Sequence, residues 1–231
     1  MSTTLDRTVT TYDLASIPLR EVNQALHADD IEGTYVIENP QGAHNVAVGL
    51  DAPVEVTVRG HLGYFAAGMN QQAEITIEGN AGQGVAENMM SGSVRVTGNA
   101  SQSAGATGRG GLLVIDGDAG ARCGISMKGI DIVVGGSVGH MSAFMAQRGR
   151  LVIRGDAGDA LGDSIYEARI YLRGHSASLG SDCVEKEMRA EHLEELAGLL
   201  KAAGYEDDDP AAYKRYGSAR TLYHFTHENE Y

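Results

Sequence analysis

The residues of this 231-residue chain that could do chemistry are few, and their spacing argues against most of it. Cys123 and Cys183 are the only cysteines, too few for a disulfide framework or a four-ligand zinc site, and they suit a reducing compartment. Cys123 falls in the column Ala66, Val85, Ala104, Cys123, Ser142, Leu161, small or apolar in nearly every member, where a thiolate would be poorly solvated. Cys183 is read as opening a C-terminal helix, but no base lies nearby and His192 is more than two turns on. His224-Phe-Thr-His227-Glu228 offers nitrogen and oxygen ligands, yet in an extended aromatic stretch rather than on a helix. Asp207 to Asp209 reads as a solvated break, since a magnesium site usually joins one or two carboxylates to a substrate phosphate. The loop Gly105-Ala-Thr-Gly108-Arg-Gly110-Gly111 resembles a phosphate cradle, but a strand follows it instead of a helix N-terminus. The sequence thus assigns no catalytic, cofactor-binding or metal-ligating residue.

What must position these residues is a repeat. Gly60, Gly79, Gly98, Gly117, Gly136, Gly155 and Gly174 follow one another at intervals of 19 without insertion. Four residues before each glycine stands Val56, Ile75, Val94, Leu113, Ile132, Leu151 or Ile170, and two before it Val58, Ile77, Val96, Ile115, Val134, Ile153 or Leu172. Residues two apart on a strand share a face, so both apolar columns point to one interior. Between them Thr57, Thr76, Arg95, Val114, Val133, Val152 and Tyr171 face outward, and this outer column turns apolar from the fourth coil. The residue after each glycine is His61, Asn80, Asn99, Asp118, Ser137, Asp156 or His175, a polar column suited to a turn. A repeat that returns like residues to like places in every coil specifies parallel strands stacked about 4.8 Å apart. The expected fold is therefore all-β: a parallel β-helix of about seven 19-residue coils over residues 54–180, with short helical extensions at both ends.

The flanks differ from the solenoid in charge. Residues 54–180 hold 11 acids and 10 bases, whereas 1–53 hold 8 and 2, and 181–231 hold 12 and 6. In residues 1–53, Ser16 to Leu26 reads as a short helix capped by Ser16 with Pro18 in its first turn, followed by an imperfect strand at Tyr35-Val-Ile37. In residues 181–231, Asp182-Cys-Val-Glu185 approximates a capping box for a helix with the stripe Val184, Met188, Leu193, Leu196 and Leu200, expected to pack on the last coil. Ala211 to Tyr216 reads as one further helical turn. The aromatics Tyr213, Tyr216, Tyr223, Phe225 and Tyr231 crowd a polar tail, either as an interface or as a cover over the outer wall.

The net charge of −13 disfavours nucleic acid, no run approaches a membrane span, and the N-terminus lacks the features of a signal peptide, so a cytoplasmic protein is expected.

The glycine pattern in Gly60-His-Leu-Gly63, Gly79-Asn-Ala-Gly82-Gln-Gly84 and Gly117-Asp-Ala-Gly120 resembles the right-handed β-helix domain at the C-terminus of the glutamate synthase large subunit. The same module occurs in the C subunit of formylmethanofuran dehydrogenase. The short length and the tail Arg215 to Phe225, ending in Asn229-Glu-Tyr231, are similar to the stand-alone β-helical subunit of N-methylglutamate synthase. That resemblance implies an amidotransferase-like partner and a synthase partner carrying FMN and an iron–sulfur cluster, which together convert methylamine and glutamate to N-methylglutamate and ammonia. It implies no catalytic residue or cofactor in the β-helical chain itself. A free-standing oligomeric scaffold is the alternative from another class. Acyltransferase solenoids are disfavoured because 19 is not a multiple of their six-residue repeat, and a polysaccharide lyase because it would want clustered acids and bases and secretion.

The inward columns give a first test. Ile115→Asp buries a carboxylate between apolar rungs and should cost several kcal/mol, whereas outward Thr76→Asp should cost far less; equal melting temperatures for the two variants would contradict the assigned face.

Overall fold

The computed structural model describes residues 9–220. Nine parallel strands form one continuous ladder: β1 (Val9–Asp13), β2 (Thr34–Glu38), β3 (Glu55–Arg59), β4 (Glu74–Glu78), β5 (Ser93–Val96), β6 (Leu112–Ile115), β7 (Lys128–Val134), β8 (Arg148–Ile153) and β9 (Arg169–Leu172). Register from β3 onward pairs residues 19 apart, as in Val56 with Ile75 and Ile77 with Val96, apart from a bulge between Lys128 and Asp131. The chain is a parallel β-helix. Both inward columns are buried, Ile115 completely, and they pack against the column from Ala66 to Leu161, where Cys123 is fully buried.

The ladder starts earlier than the glycine period. Tyr35 pairs with Val56 and Ile37 with Val58, so β2 is a full rung whose offset to β3 is slightly longer than the period. Beyond it, β1 pairs in parallel with β2 across a gap that holds the helix α1 (Leu19–Ala25). Val22 and the following Leu26 are buried in the core at this end of the solenoid. Ser16 does not cap α1: its hydroxyl donates to the Asp13 carbonyl, and Pro18 occupies the cap position without a side-chain hydrogen bond.

Each coil has a second, strained wall. After the glycine come a parallel bridge, for example Ala81 to Ala100, and then a run with left-handed residues at alternate positions. Phe65, Ala67 and Met69 have φ of 59°, 53° and 56°, and Met141, Ala143 and Met145 repeat the pattern at 56°, 57° and 52°. Left-handed backbone costs a non-glycine residue roughly 1–2 kcal/mol. The cost is offset by bonds between coils, because Phe65 and Met69 N–H donate forward to Gln83 and Glu87 carbonyls while Ala67 N–H donates back to Val46. The glycine content of the chain does not reveal this wall, since most of its left-handed residues are not glycine.

The polar column is a hydrogen-bond ladder. The backbone N–H of Asn80, Asn99, Asp118, Ser137, Asp156 and His175 each donates to the side chain 19 residues earlier, at 2.7 to 3.0 Å. The same acceptors explain the glycines. A Cβ on Gly98, Gly117, Gly136, Gly155 or Gly174 would lie within 3.0 Å of the acceptor atom of Asn80, Asn99, Asp118, Ser137 or Asp156. The glycines are there for close approach, and their own N–H groups bond to the glycine carbonyl one coil before, from Gly98 to Gly79 through Gly174 to Gly155.

At the C-terminal end the chain folds back. β10 (Cys183–Lys186) and β11 (Lys214–Ser218) pair antiparallel, and β11 also pairs antiparallel with β9, which covers the edge of the last rung. This corrects two expectations: Cys183 to Lys186 is a strand, with Val184 exposed, and the helical turn expected over Ala211 to Tyr216 is limited to a 3-10 turn at Pro210–Ala212, after which Lys214–Ser218 is a strand. Each segment finds its partner only across the whole of the helix that separates them, which no local pattern announces. That helix, α2 (Ala190–Ala202), starts later than the apolar stripe suggests, with the Arg189 N–H donating to Nδ1 of His192. It lies across several rungs rather than on the last alone: Leu196, Leu199, Leu200 and Ala203 close with Val114, Val133, Val152 and Tyr171 into a second core on the outer face. Among the described residues no helix is long and apolar enough to cross a membrane.

Two glycine substitutions should have opposite signs. Gly117→Ala forces a methyl against the Asn99 acceptor and should destabilise by about 2 kcal/mol, while Gly198→Ala, in α2 with open space around it, should stabilise by roughly 0.5–1 kcal/mol. Urea midpoints of the two variants check this.

Candidate functional site

The sequence-flagged nucleophiles are placed as packing. Cys123 is buried in the apolar column and its thiol is pushed up to about 12 by desolvation. Cys183 sits in β10, not at a helix N-terminus, and burial with the nearby Asp163 charge pushes it up to about 11. Neither thiol is poised as a thiolate. His192 is buried and accepts the Arg189 N–H, with its pKa lowered by desolvation and by Arg215 and Arg169. The Gly105 to Gly111 loop leads into β6, so no helix N-terminus faces it. Among the described residues no group of three or more His, Cys, Asp or Glu converges as a metal site; His224, His227 and Glu228 lie outside the described residues.

Chemistry on the outer face is concentrated where the C-terminal segment clasps the solenoid. Three carboxylates each take an arginine and a tyrosine hydroxyl. Asp116 accepts from Arg95 at 2.6 and 3.1 Å and from Tyr205 at 2.8 Å, and Arg95 also donates to the Ala203 carbonyl at the end of α2. Asp208 accepts from Arg154 at 2.7 and 2.9 Å and from Tyr213 at 2.7 Å, with Arg173 3.3 Å away. Glu195 accepts from Arg169 at 2.8 and 3.0 Å and from Tyr171 at 2.5 Å. The Arg154 guanidinium also lies 4.0 Å from the centre of the Tyr205 ring. The Arg154 hydrogen bond holds Asp208 down to about 2, and burial with the Asp116 bond pushes Tyr205 up to about 12. Asp207 to Asp209 is therefore not simply a solvated break: its middle carboxylate is the fastener of the clasp, reached by arginines 54 and 35 residues away.

This geometry revises the aromatic tail. Tyr213 is 3% exposed and Tyr216 7% exposed, the first in the outer core and the second against the main core, so these two rings are buried within the chain and are not offered to another. Tyr223, Phe225 and Tyr231 lie outside the described residues.

Beside the clasp opens a cleft of about 700 Å³ whose cations come from β8, β9, β10, β11 and the residue Arg220. Arg150 stands directly across from Arg169, and Lys186 from Arg215, so like charges face each other on adjacent strands. The sequence hid this grouping because β11 and Arg220 are separated from the consecutive strands β8, β9 and β10 by all of α2.

Protein GlxC of Rhizobium meliloti (strain 1021) is 61% identical over 222 residues, covering 94% of this chain and 96% of that protein. The chain belongs to the GlxC family. No family model and no solved structure matches it. The match covers nearly the whole of both chains and so more than the repeat.

The clasp predicts an acid-sensitive step. Asp208→Asn removes the charged acceptor shared by Arg154, Arg173 and Tyr213 and should cost about 2 kcal/mol near neutral pH. A carboxylate depressed in the folded state stabilises above its ordinary value near 3.9 and loses that contribution as pH falls toward its folded value. The difference in melting temperature between wild type and variant should therefore shrink between about pH 4 and pH 2, read from the near-ultraviolet signal of the tyrosines.

Proposed function

We propose that this chain is the β-helical subunit of a glutamate-synthase-like complex, specifically an N-methylglutamate synthase, which converts methylamine and glutamate to N-methylglutamate and ammonia in the cytoplasm. In this reading it organises an amidotransferase-like subunit and a synthase subunit that binds FMN and an iron–sulfur cluster, and it contributes no catalytic residue of its own. The observation that carries the reading is the 19-residue coil with its glycine pattern, the feature on which the resemblance to the glutamate synthase β-helix rests. Membership of the GlxC family over nearly the full chain supports a dedicated stand-alone subunit.

The residues present do not fit an iron–sulfur cluster, since such clusters are held by several thiolates and the two cysteines here are both buried with raised pKa. The cluster is accordingly assigned to a partner. The reading also suits the clasp: arginine and tyrosine groups that could serve a reaction are saturated by carboxylates and hold the C-terminal segment instead.

Purification from the native source tests this. The expected result is a yellow complex of this chain with two others that forms N-methylglutamate, while the chain alone binds no flavin and turns nothing over. A colourless homo-oligomer would replace the reading with a scaffold, and a complex with formyl-transfer activity would replace it with a formylmethanofuran-dehydrogenase-type subunit.

A further inference from the structure

We propose that the cationic cleft beside α2 binds a small molecule carrying two negative charges on oxygen, a dicarboxylate or a phosphate monoester. This goes beyond the proposed function and does not depend on it.

The cleft collects Arg148, Arg150, Arg169, Lys186, Arg215 and Arg220, one third of the 18 Lys and Arg residues in a chain with net charge −13. Only part of this charge is matched. Glu195 takes Arg169, and Asp182 takes Arg220. Arg150 is ion-paired with Asp131 and Glu195 at 3.2 and 3.4 Å, although its buried Nε makes no hydrogen bond among the described residues. Arg148 and Lys186 have neither an ion pair nor a side-chain hydrogen bond among the described residues, and Arg215 donates at 2.8 and 3.1 Å to the Glu187 carbonyl, with no carboxylate partner there. The pKa of Arg215 is lowered by burial, with further lowering from Arg169 and Arg189. Facing like charges across adjacent strands destabilise a sheet. Glu195, which also lines the cleft, serves both Arg150 and Arg169, whereas no carboxylate among the described residues pairs with Arg148, Lys186 or Arg215, so the missing counter-charge belongs to these three.

The shape selects among anions. A cleft of about 700 Å³ lies within the range of small-molecule pockets, larger than a single inorganic ion needs. Guanidinium groups recognise carboxylate and phosphate through paired N–H donors. Three cations without a carboxylate partner among the described residues, on β8, β10 and β11, call for a ligand with more than one negative charge. The Glu167 and Glu195 carboxylates in the lining disfavour an extended polyanion such as nucleic acid, as does the acidity of the chain as a whole.

The test is isothermal titration of the full chain at low ionic strength with glutarate and, separately, with phenyl phosphate. Saturable binding of one molecule per chain by either probe is expected, and the probe that binds identifies the source. The double variant Arg148→Gln/Lys186→Gln removes two cations that hold nothing else in place, so its melting temperature should stay near wild type while affinity falls at least about tenfold. The control Arg109→Gln/Arg122→Gln removes the same charge from residues that do not line the cleft and should leave affinity unchanged. Failure of both probes to saturate would overturn the proposal. So would equal weakening in both double variants, which would make the effect one of overall charge, or binding that appears only after deletion of residues 221–231, which would make the chain's own C-terminal segment the occupant.

Discussion

One hydrogen bond, repeated, governs this molecule: a backbone N–H in each coil donates to a side-chain acceptor laid down 19 residues earlier, from His61 under Asn80 to Asp156 under His175. To be reached, the acceptor must lean into the space that a Cβ would fill on the next coil, which leaves room only for glycine there. Glycine and acceptor are two halves of a single contact. The contact fixes the coil length, because an inserted residue would move a side chain into the acceptor and take the N–H away from it. With length fixed, the inward Val, Ile and Leu columns stack without drift, and most left-handed residues of the strained wall find a carbonyl for their N–H in the coil above or below.

The outer face is where regularity gives way to individuality. From β6 onward the outward column is apolar, and α2 closes over it to make a second core that the repeat alone could not bury. The polar frame of that core is made of carboxylates contributed by both sides, Asp116 from the solenoid and Glu195 and Asp208 from the C-terminal segment, each matched to arginine and tyrosine. Placing long-range ion pairs around an apolar patch restricts how the segment can dock, since each bidentate pair has one good geometry. The same segment supplies β11, which covers the last parallel strand and so ends the ladder.

What is legible in the sequence follows from the period. Columns at fixed spacing identify the interior, including the burial of Cys123, because every coil repeats the same physical environment. The reading weakens where the period does. The strand at Val9 is hidden because the helix inserted after it stretches the spacing to its partner Thr34 beyond the period. Val184 and Met188 fit a helical stripe locally, and local pattern cannot see that Cys183 to Lys186 pairs with Lys214 to Ser218. Asp208 looks solvated because a run of acids usually is, and only the fold brings Arg154 and Arg173 to it. The cleft is invisible for the same reason, because β11 and Arg220 return to β8, β9 and β10 only after α2. The polar column is visible but suggests only turn chemistry, although an acceptor in each of its positions from His61 to Asp156 already carries the signal of a ladder.

The ladder also has a direction in time. In each of its rungs the acceptor precedes the donor in sequence, so during synthesis the docking place for a coil already exists when that coil emerges. A repeat stack can grow from any coil in principle, but here the order of translation coincides with the order in which the contacts become available. The solenoid is thus suited to vectorial assembly on the ribosome, one coil templating the next, with the C-terminal segment arriving last to close the outer face and stop the growing edge from recruiting another chain.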